Sequence, residues 1–517
     1  MKRNIIITSL LFLSCSETPR SLFPVPAENP DLATAPAADL LGFDAGVFQP
    51  TAPNILAVSP KLLSTAGGDQ ITVTGGPFST TTNFFINNQL VNVMSVTPTT
   101  AVLLTPARAG VGPVNLVARN PDGQTSKNSN AASSPTALTF YASQLTFSQT
   151  AYPTLAQRPH GAAFGDLNGD GKTDVIVTHV DQSIYTVYLG NGQGGFAPLQ
   201  PTPTFGFLGG QVANNTTRLV DLNADGRLDM VVGTTSNQVH YYLGNGTGLM
   251  NAVAQLNYGA SGNVFSQVVA DINGDNQPDL ITGNVNASNI GLFINTANNA
   301  NLFPSGQYMA LTPNGQPTRV QTADLNGDGR QDLVAVMQNN GGATLAVYFG
   351  TGQQAGPFQA ANPLNYGTNN ANQAPQWMEL GDLNNDGKID CVVSDSITNT
   401  IRVFIGTGSP NATFNPPNNP VFVGAGPQQL AIADMNGDGN QDVIVANRVA
   451  SNVSILLGSG DGTFSSRQDF TSVNGPWAVF IMDLNGDKRL DFAIINELNS
   501  TNGANPGNMT VYLNTSQ

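Results

Sequence analysis

Residues 434–442 read Asp-Met-Asn-Gly-Asp-Gly-Asn-Gln-Asp, and this nonapeptide pattern occurs seven times in the 517-residue chain. The copies begin at Asp166, Asp221, Asp271, Asp324, Asp382, Asp434 and Asp483. Their starting points are separated by 55, 50, 53, 58, 52 and 49 residues. A period of about fifty residues predicts a repeat architecture, in which each repeat is one supersecondary unit stacked on its neighbours.

Each copy places side-chain oxygens at positions one, three, five and nine. This spacing is typical of a loop that wraps a hard cation, with the backbone carbonyl of position seven as a further ligand. A single copy could be an ordinary turn built on Asx chemistry, but seven complete sets favour a cation. We therefore predict up to seven structural Ca²⁺ ions. The predicted ligands are Asp166, Asn168, Asp170, Lys172 and Asp174; Asp221, Asn223, Asp225, Arg227 and Asp229; Asp271, Asn273, Asp275, Gln277 and Asp279; Asp324, Asn326, Asp328, Arg330 and Asp332; Asp382, Asn384, Asp386, Lys388 and Asp390; Asp434, Asn436, Asp438, Asn440 and Asp442; Asp483, Asn485, Asp487, Arg489 and Asp491.

Position six is usually glycine, which permits the sharp turn that brings the ligands together. The third copy has Asn276 there and the seventh has Lys488. Asparagine adopts left-handed backbone angles more readily than lysine does. We therefore expect the seventh site to bind calcium most weakly.

The composition indicates an all-β chain of two or more domains. It contains 55 Gly and 33 Pro, only 10% of its residues are charged, and long amphipathic helical patterns are absent. The formal net charge of -15 disfavours nucleic acid as a partner. The seven loops hold 21 of the 34 acidic residues, so most of the acidity is explained by cation ligands.

The amino terminus predicts export. Lys2 and Arg3 precede an apolar run at 5–13, which is typical of a signal peptide and too short for a membrane span. The stretch 11–15, Leu-Phe-Leu-Ser-Cys, resembles a bacterial lipobox, although Phe12 replaces the usual leucine. The resemblance implies that Cys15 is lipidated and anchors the protein to the cell envelope, at the outer membrane or cell surface. The alternative is an ordinary secretory signal cut elsewhere.

Residues 1–15 are therefore assigned to the signal peptide, and residues 16–52, rich in Pro and Ala, to a flexible tether. The other cysteine, Cys391, follows a metal loop inside an apolar run and is expected to be a buried small hydrophobe.

Residues 53–142 contain short alternating strands separated by turn residues, which predict a small β-sandwich. This segment resembles the immunoglobulin-like IPT/TIG module. The resemblance rests on Ser59-Pro60, Gly67-Gly68 before Ile71-Thr72-Val73-Thr74-Gly75, Thr105-Pro106 and Asn120-Pro121-Asp122-Gly123. In exported bacterial proteins such a module is usually a spacer or stalk.

Residues 143–517 contain the repeats, and each repeat can be divided into four strands around its loop. In the sixth, stretches 429–433, 443–446 and 453–457 are followed by a fourth that opens at Phe464. Four strands per repeat predict a seven-bladed β-propeller, with each metal loop joining the first two strands of a blade. The pattern resembles the FG-GAP/VCBS repeat of the integrin α-chain propeller and of many bacterial surface proteins. This resemblance specifies fold and metal, whereas function varies widely among propellers.

The ends of the repeat region predict how the ring closes. The seventh repeat finishes at its third strand, 509–513, while 145–149 looks like the start of a fourth strand. We predict that residues 145–150 pair with the blade containing Val511 and remove an open edge.

A ring of polar and aromatic residues is predicted on the face opposite the metal loops. A proline recurs seven residues before the motif in five repeats, and the residues after it should surround the mouth of the central channel. They are His160, Thr318, Gln376, Gln428 and Trp477, with Trp377 one place further. Aromatic and amide groups suit contact with a glycan or a protein ligand. Alternatively, these side chains simply pack the junctions between blades.

These features favour a non-enzymatic surface protein for adhesion or recognition. The competing hypotheses are a carbohydrate-active enzyme, such as a propeller-type polysaccharide lyase using His160 and His179, and a purely structural envelope component. The sequence contains no nucleophile elbow, HExxH motif or phosphate loop.

Overall fold

The computed structural model describes residues 52–108, 111–121, 124–126, 137–142, 144–154, 158–180, 184–199, 212–234, 238–257, 264–298, 301–304, 308–313, 315–339, 342–353, 356–360, 364–365, 373–409, 412–417, 419–472, 475–497 and 507–516. The predicted signal peptide, the lipidation cysteine Cys15 and the tether up to residue 51 lie outside the described residues. The described part of the chain is built of strands and turns, and it contains no helix that could cross a membrane.

The first folded segment consists of two sheets that enclose one apolar core. Its strands are β1 (Asn54–Ser59), β2 (Leu62–Ser64), β3 (Gln70–Gly76), β4 (Asn83–Ile86), β5 (Gln89–Leu90), β6 (Asn92–Val96), β7 (Thr100–Leu104), β8 (Gly112–Arg119) and β9 (Ala137–Tyr141). One sheet has the order β1-β3-β7-β6 and the other β2-β9-β8-β4-β5. In β3, buried and exposed residues alternate, so that Ile71 and Val73 enter a core shared with Phe84, Leu103 and Leu116.

The repeat region contributes the remaining strands. They are β10 (Phe147–Pro153), β11 (Pro159–Gly165), β12 (Asp174–His179), β13 (Ile184–Gly190), β14 (Phe196–Pro198), β15 (Val212–Val220), β16 (Asp229–Thr234), β17 (Gln238–Gly244), β18 (Met250–Asn257), β19 (Val264–Ala270), β20 (Asp279–Asn284), β21 (Asn289–Phe293), β22 (Tyr308–Leu311), β23 (Gln316–Ala323), β24 (Asp332–Asn339), β25 (Gly342–Gly350), β26 (Phe358–Ala360), β27 (Leu364–Asn365), β28 (Pro375–Gly381), β29 (Asp390–Asp395), β30 (Thr400–Phe404), β31 (Gly406–Ser409), β32 (Ala412–Phe414), β33 (Val421–Phe422), β34 (Pro427–Ala433), β35 (Asp442–Asn447), β36 (Asn452–Gly458), β37 (Phe464–Thr471), β38 (Pro476–Met482), β39 (Asp491–Asn496) and β40 (Asn508–Asn514).

Within the described residues these strands form seven sheets, each with a main path of four strands in antiparallel order, and we number them as blades 1 to 7. Blades 1 to 4 are β11–β14, β15–β18, β19–β22 and β23–β26; blade 5 is β28-β29-β30-β33, blade 6 is β34–β37, and blade 7 is β38-β39-β40-β10. The first strands of successive blades contact one another, and β11 of blade 1 also contacts β38 of blade 7. The first strands therefore form the inner wall of a closed ring.

Blades 4 and 5 depart from the simple repeat. In blade 4, β27 also pairs with β25. In blade 5, β31 and β32 pair only with each other, and the fourth position is taken by the two-residue strand β33. Phe414 of β32 is buried in the core between blades 4 and 5, so this extra ribbon covers the blade junction.

The core lies between the blades. The second strand of a blade is buried on both sides, as the six residues of β35 show. Because successive side chains on a strand point to opposite faces, Val443 and Val445 pack toward blade 5, whereas Ile444 packs toward Phe492 of blade 7. The apolar residues that follow each nonapeptide loop are therefore buried on both faces of the second strand.

The ring is closed by the strand that precedes the first repeat. β10 pairs antiparallel with β40 over seven residues, from Phe147 opposite Asn514 to Pro153 opposite Asn508. Thr150 lies opposite Val511, so the predicted closure is confirmed. The outer edge of blade 7 is therefore supplied from the other end of the repeat region, which leaves that blade complete.

Candidate metal loops and binding face

All seven nonapeptides lie between the first and second strands of their blades, on one face of the ring that we call the loop face. The first aspartate holds the turn together. In the sixth loop, Oδ1 of Asp434 accepts hydrogen bonds from the backbone N–H groups of Gly437 and Asp438, at 2.8 and 3.1 Å, and Oδ2 accepts one from Gly439 at 2.8 Å. The loop is therefore closed by its own backbone amides.

Positions four and six both adopt left-handed backbone angles. At position six, Asn276 has φ 63° and Lys488 has φ 69°, which confirms the conformation predicted for that position. At position four, Ala224 and Asn385 each have φ 58° where the other copies have glycine. The structure shows that the backbone of position four is constrained as well.

The ninth aspartate is buried and connects the loop to the third strand of the same blade. In Asp442, Oδ2 accepts the N–H of Met435 at 2.9 Å and Oδ1 accepts the N–H of Gly458 at 2.8 Å. Each of the other copies makes the same pair of contacts, through Asp174, Asp229, Asp279, Asp332, Asp390 and Asp491. Position nine, predicted only as a ligand, is thus also a structural anchor.

Burial of this ninth carboxylate has an electrostatic cost. Burial raises the pKa of Asp442 to about 7, two backbone hydrogen bonds oppose the rise, and repulsion from Asp438 and Asp434 adds to it. The pKa of Asp279 is raised to about 7 and that of Asp229 to about 6, again first by burial. Three carboxylates in each loop therefore repel one another.

The side chain at position seven partly offsets this charge in five loops. Its cationic group contacts Oδ2 of the aspartate at position five, for example Lys172 to Asp170 at 3.2 Å and Arg489 to Asp487 at 2.8 Å. Arg227, Arg330 and Lys388 make the corresponding contacts. Solvent screens these exposed or partly exposed pairs, so each contributes little to stability. From the sequence, position seven was predicted to contribute only its backbone carbonyl, and this side-chain pairing was not predicted.

The donor chemistry of the loops fits calcium, because carboxylate and amide oxygens are its preferred ligands and a divalent cation would relieve the repulsion among the carboxylates. In the structure, however, the carboxylate of the first aspartate accepts hydrogen bonds from backbone N–H groups of its own loop. Among the described residues, no three Asp, Glu, His or Cys side chains are grouped so that they could hold a metal ion.

The opposite face, which we call the linker face, contains the starts of the first strands. Of the residues predicted to contact a ligand there, Gln376, Gln428 and Trp477 are partly exposed, on blades 5, 6 and 7. His160 is only 2% exposed and Trp377 only 4%. Direct ligand contact by His160 and Trp377 therefore does not agree with the structure, in which both pack against neighbouring blades.

Trp377 is covered by an arginine of the preceding blade. The guanidinium carbon of Arg319 lies 4.0 Å from the centre of a Trp377 ring, and Nε1 of Trp377 donates to Oε1 of Glu379 at 2.7 Å. Thr318, also expected at the channel mouth, is 4% exposed and donates to the carbonyl of Val336 at 3.2 Å.

His160 belongs to a buried charge cluster that joins three blades. Its ring stacks on Trp477 with centres 4.0 Å apart, and Nε2 is 3.1 Å from Oε1 of Glu497. Arg158 of the segment before β11 and Arg448 of blade 6 contact the same carboxylate, at 2.9 and 2.6 Å. Burial would raise the pKa of Glu497, but hydrogen bonds and charge from His160, Arg448 and Arg158 hold it well below its usual value.

The other histidines and Cys391 have structural surroundings. His179 is fully buried, with Nε2 3.2 Å from Oγ1 of Thr186. His240 is also buried, which lowers its pKa, and it contacts Gln238 at 3.3 Å. Cys391 is fully buried between blades 4 and 5, as predicted.

A cavity of about 450 Å³ opens on the loop face between blades 3 and 4. Its walls include Asp271, Ile272 and Gly274 of the third loop and Gly329 and Arg330 of the fourth. Because these residues belong to the nonapeptide loops, the cavity is part of the loop face.

A closed ring of four-stranded sheets, with one acidic loop between the first two strands of each, defines the chain as a β-propeller protein. The FG-GAP-like repeat family matches residues 221–282, 277–335, 324–393, 382–445 and 434–494, which together span more than half of the chain. The chain belongs to this family. Residues 53–140 match the IPT/TIG domain.

Several solved structures are similar to this chain at low sequence identity. A protein from Lactobacillus plantarum has a TM-score of 0.50 and 10% identity, with 76% of this chain and 97% of that chain covered. The periplasmic gluconolactonase PpgL of Pseudomonas aeruginosa has a TM-score of 0.47, 13% identity and coverages of 77% and 98%. An auxiliary nutrient binding protein from Bacteroides thetaiotaomicron has a TM-score of 0.38, 11% identity and coverages of 89% and 98%. No curated protein matches the sequence.

Proposed function

We propose that this chain is a calcium-stabilised binding protein of the bacterial cell envelope. It is exported, anchored through a lipid on Cys15, and presents the linker face of its propeller for adhesion to, or recognition of, a glycan or protein ligand. The observation that carries the proposal is the partial exposure of Gln376, Gln428 and Trp477, which occupy equivalent positions on three consecutive blades. Two amides and an indole at one mouth of a ring suit a shallow binding surface.

Calcium has a structural role in this proposal. The first, third, fifth and ninth side chains of each loop, together with the carbonyl of position seven, would hold one ion. Loops of this composition in extracellular modules bind calcium with dissociation constants on the order of 0.1–1 mM, so the sites would fill outside the cell. Because the ninth aspartate also anchors the third strand, an ion in the loop would stabilise the whole blade by mass action.

Binding is favoured over catalysis because the two histidines of the competing hypothesis are both engaged in the fold. His160 is stacked on Trp477 and contacts Glu497, and His179 is fully buried beside Thr186. A general acid or base has to reach the proton that it transfers, so buried side chains with structural contacts are poorly suited to this role.

Glycan and protein arrays test this proposal. The full-length protein is applied to them with calcium and with a chelator. Gln376→Ala and Gln428→Ala should weaken binding without changing the melting temperature by more than about 2 °C, because both side chains are partly exposed. Leu56→Ala is the matched control, since Leu56 is 65% exposed and lies on the sandwich. Release of unsaturated product from an acidic polysaccharide by the wild-type protein would instead establish the lyase hypothesis.

A further inference from the structure

The inner wall of the propeller carries three charged side chains that meet across the ring. Arg218 lies on β15 of blade 2, Arg319 on β23 of blade 4 and Glu379 on β28 of blade 5. Arg218 interacts electrostatically with both Arg319 and Glu379, although blades 2 and 5 are not neighbours. The three groups therefore face one another through the central channel.

The side chain of Arg319 is buried and hydrogen-bonded within the protein. It is 7% exposed, and its Nε donates to the carbonyl of Gln376 at 2.8 Å while a terminal nitrogen donates to that of Phe265 at 2.5 Å. Its guanidinium carbon also lies 4.0 Å from the centre of a Trp377 ring and 5.5 Å from that of Phe265. This side chain spans blades 3, 4 and 5 and fixes the channel wall.

Glu379 is similarly held. Oε1 accepts the indole N–H of Trp377 at 2.7 Å, and Oε2 accepts an amide hydrogen of Gln321 at 3.3 Å. Burial raises the pKa of Glu379 to about 7, although the Trp377 hydrogen bond and the charges of Arg218 and Arg319 oppose the rise. Each oxygen keeps a second acceptor site, so the ionised carboxylate still attracts Arg218, but it balances only one of the two guanidinium charges.

Arg218 is different. It is partly exposed and, toward the described residues, donates one hydrogen bond, to the carbonyl of Thr217 at 2.9 Å. A guanidinium carries five N–H donors in a planar fork, which matches the two oxygens of a carboxylate. Burial lowers the pKa of Arg218, with Glu379 opposing, so the cation is poorly solvated.

The charges on the described first strands do not balance. There, two guanidinium groups face one carboxylate, which leaves an excess of one positive charge when Glu379 is ionised. Charged groups removed from bulk water are normally paired and hydrogen-bonded, because an unpaired one is costly. A ligand with a single negative charge would supply the missing partner, and a doubly charged phosphate would overcompensate.

We propose that the central channel binds the carboxylate of a small ligand, such as an acidic sugar or another organic acid, with Arg218 as the principal contact. This assignment rests on the proposed function, in that it names the chemistry recognised beside the linker face. Gln376, whose carbonyl holds Arg319, connects the channel to the exposed amides of that face.

The test is calorimetric titration of the full-length protein in calcium with sodium glucuronate, sodium acetate, glucose and inorganic phosphate. Glucuronate and acetate should bind and glucose should not, with phosphate weaker than the carboxylates. Glucuronate binding more tightly than acetate identifies an acidic sugar as the source of the carboxylate, whereas equal affinities identify organic acids in general. Either result supports the proposal. Absence of carboxylate binding at millimolar concentrations, or equal binding of glucose, overturns it.

Variants of the channel separate binding from folding. Arg218→Gln should reduce carboxylate affinity roughly tenfold or more, because it removes a charge-assisted contact. Arg218→Lys should retain part of the affinity, since the charge remains but the fork is lost. Arg467→Gln is the matched control, because Arg467 is an exposed arginine paired with Asp469 on an outer strand. Unchanged affinity in a folded Arg218→Gln variant overturns the assignment.

The Glu379→Gln substitution should raise the affinity for a carboxylate ligand, whereas Arg218→Gln should lower it. The titratable or charged groups that face Glu379 are Arg218, Arg319 and the thiol of Cys391. The adjoining β34 contributes none. The affinity of the wild-type protein for acetate should fall as the pH rises from 6 to 8, because Glu379 ionises and competes for Arg218. The Glu379→Gln variant should bind acetate more tightly than the wild type at pH 8, and its affinity should not depend on pH in this range. Weaker acetate binding by Glu379→Gln contradicts the proposal. If the arrays identify a ligand but calorimetry detects no carboxylate binding, the surface-binding function stands and this inference fails.

Discussion

Nε2 of His160 and Oε1 of Glu497 lie 3.1 Å apart, and this contact joins the first blade of the ring to the last. Arg448 brings blade 6 to the same carboxylate. Because the side chain of Glu497 is only 4% exposed, three cationic or polar partners depend on one buried charge.

Removing that charge should destabilise the ring. Glu497→Gln leaves His160, Arg158 and Arg448 without their shared partner, and the expected loss is on the order of 3 kcal/mol in the free energy of unfolding at pH 7. Urea denaturation measures it. Asp469→Asn is the control, since its partner Arg467 is exposed and the expected loss is under about 1 kcal/mol.

The effect of Glu497→Gln should depend on pH in a defined direction. The pKa of Glu497 is held below its usual value of 4.5 in the folded state. Its stabilisation is therefore complete above that unfolded value and is lost as the pH falls toward the folded pKa. The difference between wild type and variant should shrink as the pH falls below 4. A difference that grows below pH 4 would contradict the assigned role.

The two kinds of loop aspartate should behave differently when calcium is removed. Asp438→Ala alters a partly exposed fifth position and should lose about one bound ion, while its melting temperature in chelator stays close to wild type. Asp442→Ala removes the acceptor of two buried backbone N–H groups and should destabilise by about 3 kcal/mol even in chelator. Calorimetric melting with calcium and with chelator separates the two. A wild-type melting curve that ignores chelator would reject the structural role of calcium.

Backbone strain at position six of the seventh loop should be removable. Lys488 has φ 69°, so Lys488→Gly should stabilise the protein by roughly 0.5 to 1 kcal/mol and strengthen calcium binding at this loop. Asn276→Gly should have a smaller effect, because asparagine tolerates this conformation.

The converse change provides the control for strain. Gly486 has φ 77° and a Cβ there would meet nothing within 4 Å, so Gly486→Ala tests the backbone alone. It should destabilise by about 1 kcal/mol in the same chemical denaturation assay. Equal stabilities of the alanine variant and wild type would mean that the loop relaxes freely.

The closing strand should be anchored by one aromatic side chain. Phe147 of β10 makes edge contacts with Phe492 and Phe470, with ring centres 4.8 and 5.1 Å apart. Phe147→Ala should cost about 2 to 3 kcal/mol, because the ring is only partly buried, and should speed hydrogen exchange in β40. Ser148→Ala, at an exposed position of the same strand, should leave both quantities unchanged.

Much of this architecture could be predicted from the sequence because the same motif occurs seven times. The spacing of seven aspartate motifs predicted the loops, and the stretches after them were predicted to be the second strands of the blades. Their burial on both faces was shown by the structure. Closure through residues 145–150 was also predictable, since the seventh repeat lacks a fourth strand of its own. The ribbon β31–β32 in blade 5 was missed, because Phe414 occupies the place where Phe464 opens a fourth strand in blade 6.

The site was less predictable, because it depends on contacts between repeats that are distant in the chain. Trp377 and His160 carry the residue types of a binding surface, yet Arg319 covers one and Trp477 the other. Arg218 and Glu379 stand 161 positions apart in the numbering and give no local pattern. One signal was available: both precede a loop aspartate by three residues, a position that alanine, valine, glutamine or phenylalanine occupies in the other repeats.

The pairing of β10 with β40 also sets an order of assembly. Synthesis supplies the sandwich and β10 first, but the strand that β10 requires is among the last ten described residues of the chain. Domains generally fold as they emerge, amino-terminal part first. The sandwich can therefore form early, whereas the propeller cannot become a closed ring until β40 has been synthesised. Until then both β10 and the incomplete seventh blade expose edges open to aggregation.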